Sequence, residues 1–271
     1  MINKHITNNA SKFVKSKKPV IVVYFILRLF VLLVLVRSLI IGNFENAFIC
    51  VLTLLLFLVP IIIKRNLKIQ LPNTLEIIIL LFIFAAEILG ELESFYLKFE
   101  HWDVILHTTW GFLCAAIGFS LIDILNRDSK IKFDLSPIYV VIVAFCFSMT
   151  VGVFWEFFEY GSDLILHTDM QKDTVISSFY STMLDPSASN VTVPIKNIEQ
   201  VLVNGEILGV EGYLDIGLID TMGDLFVNFV GAFVFSIIGY FYLKHRGKGE
   251  LVQHFVPVLE ENEIMDKNGA G

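Results

Sequence analysis

Residues 217–243 read GLIDTMGDLFVNFVGAFVFSIIGYFYL. The run exceeds the ~20 residues that cross a ~30 Å hydrocarbon core. It nevertheless carries Asp220, Asp224 and Asn228 at a spacing of four, which is one stripe of a helix. An Asp at the centre of a membrane span costs about 2.5–3.5 kcal/mol on insertion scales. A helix that is apolar except for one costly stripe belongs in a bundle that hides the stripe.

Working outward, five further apolar runs occur at about 19–41, 46–63, 73–92, 102–125 and 137–160. The first follows a basic segment but is longer than a signal-peptide core and contains Arg28, so it reads as an uncleaved helix. With 55% hydrophobic and 17% charged residues and a mean hydropathy of +0.71, the chain of 271 residues falls outside the soluble globular range. A net charge of −7 argues against a nucleic-acid partner, which needs a basic face. The fold class expected is all-α: a polytopic transmembrane bundle of about six spans over 19–243. A basic N-terminus (1–18) precedes it, and a polar tail (244–271), read as disordered, follows.

Lysine and arginine set the orientation. Fifteen lie in segments 1–18, 64–70, 126–134 and 244–271, against Lys98, Lys172 and Lys196 on the other side. Both termini are therefore expected in the cytoplasm. The long segment 161–216 then lies outside, is rich in Asp and Glu, and contains Asn204-Gly205 between apolar runs, the mark of a small β-hairpin. Cys50, Cys114 and Cys146 all fall inside spans and imply no disulfide framework.

The informative residues are the ionisable ones inside spans. Glu87 and Glu91 lie a turn apart near the end of the third span, and Asp103 and His107 open the fourth. Glu156 and Glu159 close the fifth, followed by Asp163, while Asp220, Asp224 and Asn228 open the sixth. Alternating span direction puts Glu87, His107, Glu156 and Asp224 at one expected depth below the outer boundary. So many carboxyls need protons, cations or basic partners in a low-dielectric setting. Arg37 can offset one of them. A divalent metal suits the donor set, with His107, Glu156, Asp224, Glu87 and Asp220 as candidate ligands and Glu159 or Asp103 as base. Structural roles compete at each position: a hydrogen bond to Asp103 for His107, and capping or interfacial solvation for Glu159, Asp163 and Asp220. Glu76 and Asp123 near the cytoplasmic ends read as solvated. The Phe-rich runs imply no cofactor.

On three pieces the chain resembles the YjdF-like bacterial inner-membrane proteins. They are Trp102-Asp103-x-x-x-His107 with Gly111, Trp155-Glu156-x-x-Glu159, and Asp220-Thr221-x-x-Asp224-x-x-x-Asn228-x-x-Gly231. More distantly it is similar to VanZ-like membrane proteins, although the Arg that those place before the last stripe is missing from Tyr213–Thr221. The resemblance implies a bacterial plasma-membrane location and supplies no reaction.

Three function classes remain open: a metal-assisted hydrolase or transferase acting on an envelope or lipid substrate, a proton- or cation-coupled permease, and an assembly or sensory protein whose polar cluster is structural. The expected partners are membrane lipids, with a second copy of the chain or an extracytoplasmic protein on the 161–216 loop.

Overall fold

The computed structural model describes residues 17–67, 69–127, 135–244, 254–255 and 258–259. The chain is helical wherever the hydropathy is sustained. Helices α1 (Lys18–Ile41), α2 (Phe44–Leu56), α3 (Val59–Leu67), α4 (Asn73–Phe84), α5 (Phe95–Lys98), α6 (Trp102–Arg127), α7 (Pro137–Leu166) and α8 (Leu218–Lys244) follow in order. Among the described residues, five helices are long and apolar enough to cross a membrane: Lys18–Ile41, Phe44–Asn66, Trp102–Asp123, Pro137–Leu166 and Leu218–Lys244. The remaining expected run, 73–92, is helical throughout but composite. Helix α4 passes at Ala85 into a π-helix that extends to Leu92.

Local chemistry sets the breaks. Gly42, at φ +79°, closes α1 in the left-handed conformation that glycine adopts at low cost. Asn43 then caps α2 by accepting a hydrogen bond from the Asn46 amide at 3.0 Å. Pro60 has no N–H to give the carbonyl four residues earlier, so α2 stops at Leu56 and the chain restarts as α3.

The chain forms two compact units, residues 1–151 with 227–271, and residues 152–226. In the first unit, Val20, Leu27 and Val31 of α1 pack with Cys50 of α2, Phe57, Leu80 and Ile83 of α4, and Ile88 of the π-helix. A second cluster joins Ala115, Ala116 and Phe119 of α6 to Val140, Val141 and Ala144 of α7 and to Ala232, Phe235 and Tyr242 of α8. Helices α6 and α8 meet backbone to backbone there. A Cβ on Gly111 would collide with the Asn228 carbonyl oxygen, and one on Gly231 with the Thr108 carbonyl oxygen. Small residues at both positions let the helices approach this closely. Ser148 of α7 adds a 2.8 Å hydrogen bond to the Gly111 carbonyl.

Two acidic residues depart from expectation. Glu76 is 5% exposed, because Lys64 reaches it at 2.6 Å and Lys17 at 3.6 Å. Asp123 is buried as well. Of the tail read as disordered, the described residues are placed against the bundle. Strand β8 (Val258–Leu259) pairs antiparallel with β1 (Ile69–Gln70), and Phe255 packs on Phe112.

The second unit contains the end of α7, the start of α8 and short antiparallel strands between them. Strand β2 (Thr174–Ile176) pairs with β7 (Tyr213–Asp215), and β3 (Phe179–Ser181) pairs with β4 (Val193–Ile195). Strands β5 (Leu202–Val203) and β6 (Glu206–Ile207) form the expected hairpin, shorter than the apolar runs that signalled it. Its turn places Asn204 at φ +54° and Gly205 at φ +88°, the conformation that an Asn-Gly pair favours. In the loop after β3, the Asp185 carboxylate accepts hydrogen bonds from the Ser187 hydroxyl and from the amides of Val191, Ser187 and Ser189. Those bonds hold its pKa down at about 2.

The α6–α8 contact predicts a contrast. Gly111→Ala should lower stability by about 1–3 kcal/mol through overpacking. Gly223→Ala, where an added Cβ meets nothing within 4 Å, should leave stability unchanged or slightly raised. Unfolding of the detergent-solubilised variants followed by tryptophan fluorescence checks both.

Candidate metal centre

Within the second unit, the final turns of α7 are amphipathic in the inverted sense. Gly152, Glu156, Glu159 and Ser162 are buried, at spacings of four, three and three. Phe154, Phe157, Phe158, Leu164, Ile165 and Leu166 are exposed. A surface of that composition is stable against lipid and not against water, so the acids turn inward. The first turns of α8 follow the same rule, with Asp224 buried and Leu218, Ile219, Met222 and Phe226 exposed.

The two inward faces bring three carboxylates together. One oxygen each from Glu156, Glu159 and Asp224 lies within 4.8 Å of the other two, and all three residues are at most 6% exposed. Glu159 is oriented by the indole of Trp155, whose Nε1 donates to its Oε1 at 2.8 Å. At 4.8 Å and an effective dielectric of about 20, two ionised carboxylates repel by about 3.5 kcal/mol. Three such pairs are a strong drive to take up protons or a cation. The donors are hard oxygens, which suit Mg²⁺, Ca²⁺ or Mn²⁺.

The neighbouring acids have other tasks. Asp163 accepts from the Thr168 hydroxyl at 2.7 Å and from the amides of Met170 at 2.6 Å and Gln171 at 2.8 Å, which closes the turn after α7. Asp220 accepts from the Lys172 amide at 2.8 Å, and the Gln171 side-chain amide donates to the Thr221 hydroxyl. These bonds clasp the segment after α7 to the first turn of α8. Asp220, a candidate ligand from sequence, thus acts as a clasp and is not one of the three converging carboxylates. Farther along, Asp173 is pushed up by desolvation and then by the carboxylates of Asp169, Asp215 and Asp163.

The other candidates belong to the first unit. His107 is buried on α6, with Nε2 3.5 Å from Oδ1 of Asp103 one turn earlier. Glu87 is half-buried on the π-helix, which packs on α6. Arg37 is exposed on α1. Asn228 is 1% exposed; its Nδ2 lies 3.5 Å from Sδ of Met149, and its Oδ1 has no hydrogen-bond partner among the described residues. Sequence reasoning missed the π-helix, for which no signal was present. It also missed the Trp155–Glu159 bond, whose i,i+4 spacing was visible.

A model for a family described as predicted membrane proteins, DUF2238, matches residues 23–245, and the chain belongs to that family. The match supports a family of membrane proteins and does not single out the YjdF-like or VanZ-like groups. A Thermotoga maritima protein described as an uncharacterized protein is 28% identical over 107 residues, which is 40% of this chain. The match covers 53% of that relative, about half its length. No solved structure matches the chain.

The clasp and the carboxylate cluster separate experimentally. Asp220→Ala should cost about 1–2 kcal/mol of stability and speed proteolysis of the 167–216 segment, because the Lys172 amide loses a charged acceptor. Asp220→Asn, which keeps an acceptor oxygen, should lose less. Neither should alter the divalent-metal content of the purified protein.

Proposed function

We propose that this DUF2238 protein is a bacterial plasma-membrane protein, with both termini cytoplasmic, that holds a divalent cation between Glu156, Glu159 and Asp224. The cation would serve metal-assisted hydrolysis or transfer on an envelope or lipid-linked substrate. The observation that carries the reading is the convergence of three buried carboxylates from two helices whose exposed faces are apolar. The orientation rests on the fifteen-to-three distribution of lysine and arginine. A cation held here would supply Lewis-acid chemistry and make a water bound to it more acidic. Glu156 and Asp224 would hold it, and Glu159, steered by Trp155, would stand beside them to take up a proton.

Metal analysis by mass spectrometry tests the reading. Wild-type protein incubated with Mn²⁺ and desalted should retain close to one equivalent. Glu156→Gln and Asp224→Asn should each retain less than a tenth of that while staying monodisperse, and Asp220→Asn should retain all of it. A folded wild type that holds no Mn²⁺, Mg²⁺ or Ca²⁺ would end the proposal.

A permease is the second reading, and one observation favours it. Within the first unit, buried polar groups extend along α6 from His107 to Ser120 and Asp123 and along α8 from Asn228 to Ser236. Buried acids and hydroxyls spread over a span's length are the raw material of ion pathways. Proteoliposomes carrying a pH-sensitive dye should then show proton flux that falls at least tenfold in Asp123→Asn. Flux equal to that of empty liposomes would remove this reading.

A further inference from the structure

One side chain of α7 belongs both to the buried acids and to the surface that meets lipid. The Trp155 Nε1 donates to Oε1 of Glu159 at 2.8 Å, and the same ring lies against Phe158, with centroids 5.4 Å apart. These two neighbours differ in exposure, Glu159 being 6% exposed and Phe158 57%. Trp155 stands between them at 39%. Helical spacing accounts for the position. Trp155 lies one turn before Glu159 and three residues before Phe158, at the edge of the inward face.

Beyond that edge the exposed side chains of α7 include Phe154, Phe157, Phe158 and Leu164. In a membrane protein such a surface faces hydrocarbon, where a bare carboxylate is costly. An indole suits the border, because an apolar ring carries one polar N–H. A side chain can also change rotamer while both helices stay in place. Turning the indole outward would break its bond to Glu159 and bring that carboxylate, with the cluster around it, to the bilayer.

We propose that Trp155 is a lateral lid past which the three-carboxylate site is entered from the bilayer. The ligand it admits is an amphiphile, whose apolar part stays in lipid while an anionic head such as a phosphate reaches the site. One motion of the ring opens the way for the head and frees Glu159 from its hydrogen bond. The head chemistry rests on the cation reading, because an anion approaches three carboxylates only where a hard cation stands between them. The route past Trp155 does not rest on it, since the bond to Glu159 and the contact with Phe158 belong to the chain itself.

Photoactivatable lipids in phosphatidylcholine nanodiscs test both parts. A phosphatidic acid and a phosphatidylcholine, each with a diazirine at the head-group end of an acyl chain, are illuminated with Mn²⁺-loaded and Mn²⁺-free protein. Peptide mass spectrometry maps the adducts. With Mn²⁺, the phosphatidic acid should label Glu156, Glu159 or Asp224 in preference to the phosphatidylcholine. Trp155→Ala should raise that labelling about tenfold, since a hydrogen bond to a charged group holds the lid shut. Phe158→Ala removes the ring's neighbour and keeps the N–H donor. It should raise the labelling too, and it decides the matter if Trp155→Ala is not monodisperse. Phe157→Ala, which also removes one exposed ring, should not. Labelling that rises in Trp155→Ala but ignores Mn²⁺ and head group would leave the route standing and remove the cation and the anionic head. Folded variants without lipid adducts on these three residues overturn the route. So do adducts from a water-soluble diazirine of equal charge in their place.

Discussion

The close approach of α6 and α8 at Gly111 and Gly231 is the constraint on which the polar interior depends. Once two helices touch backbone to backbone at fixed residues, their rotation is set. On α6, Asp103, His107, Gly111, Ala115 and Phe119 then recur every four residues along the packed face. On α8, Asp224, Asn228, Gly231 and Phe235 follow at spacings of four, three and four. The side that would be costly in hydrocarbon is thereby turned away from it, and Phe229, Val230, Phe233 and Val234 are left for lipid. A larger residue at either glycine would push the helices apart and loosen the placement of every polar group on those stripes.

The inverted pattern also explains why three carboxylates can share one place. Dispersed on the lipid side, each would pay its insertion cost alone. Gathered inside, they repel one another, but they can share a proton or a cation and take hydrogen bonds such as that from Trp155 to Glu159. Asp163 and Asp220 show the cheaper arrangement available at a helix end, where backbone amides of the adjoining turn satisfy a carboxylate directly.

Much of this was legible in the sequence, and the limits have physical reasons. Hydropathy locates long apolar runs whatever helix type builds them, so 73–92 stands out as one run even though it is built as α followed by π. The acids of α7 and α8 stood out because they interrupt apolar runs. Glu76 was misjudged because its burial rests on Lys17, just before α1, and on Lys64 of α3, both distant in sequence. Strands β2 and β7 are too short to signal themselves and find each other about 40 residues apart. Asp220 shares the spacing of the other candidate ligands, and its hydrogen bond from the Lys172 amide joins residues 48 apart, which no local pattern signals.

The pairing of β1 with β8 has a consequence for biosynthesis. Leu259 is made 190 residues after its partner Ile69. At ribosomal rates of roughly 5–20 residues per second, that interval is about 10–40 s. Helices α4 to α8 are synthesised during this time, while β1 waits for the strand it pairs with. Formation of the β1–β8 pair therefore follows the synthesis of α8, so a contact near the start of the first unit is one of the later ones that the growing chain can make.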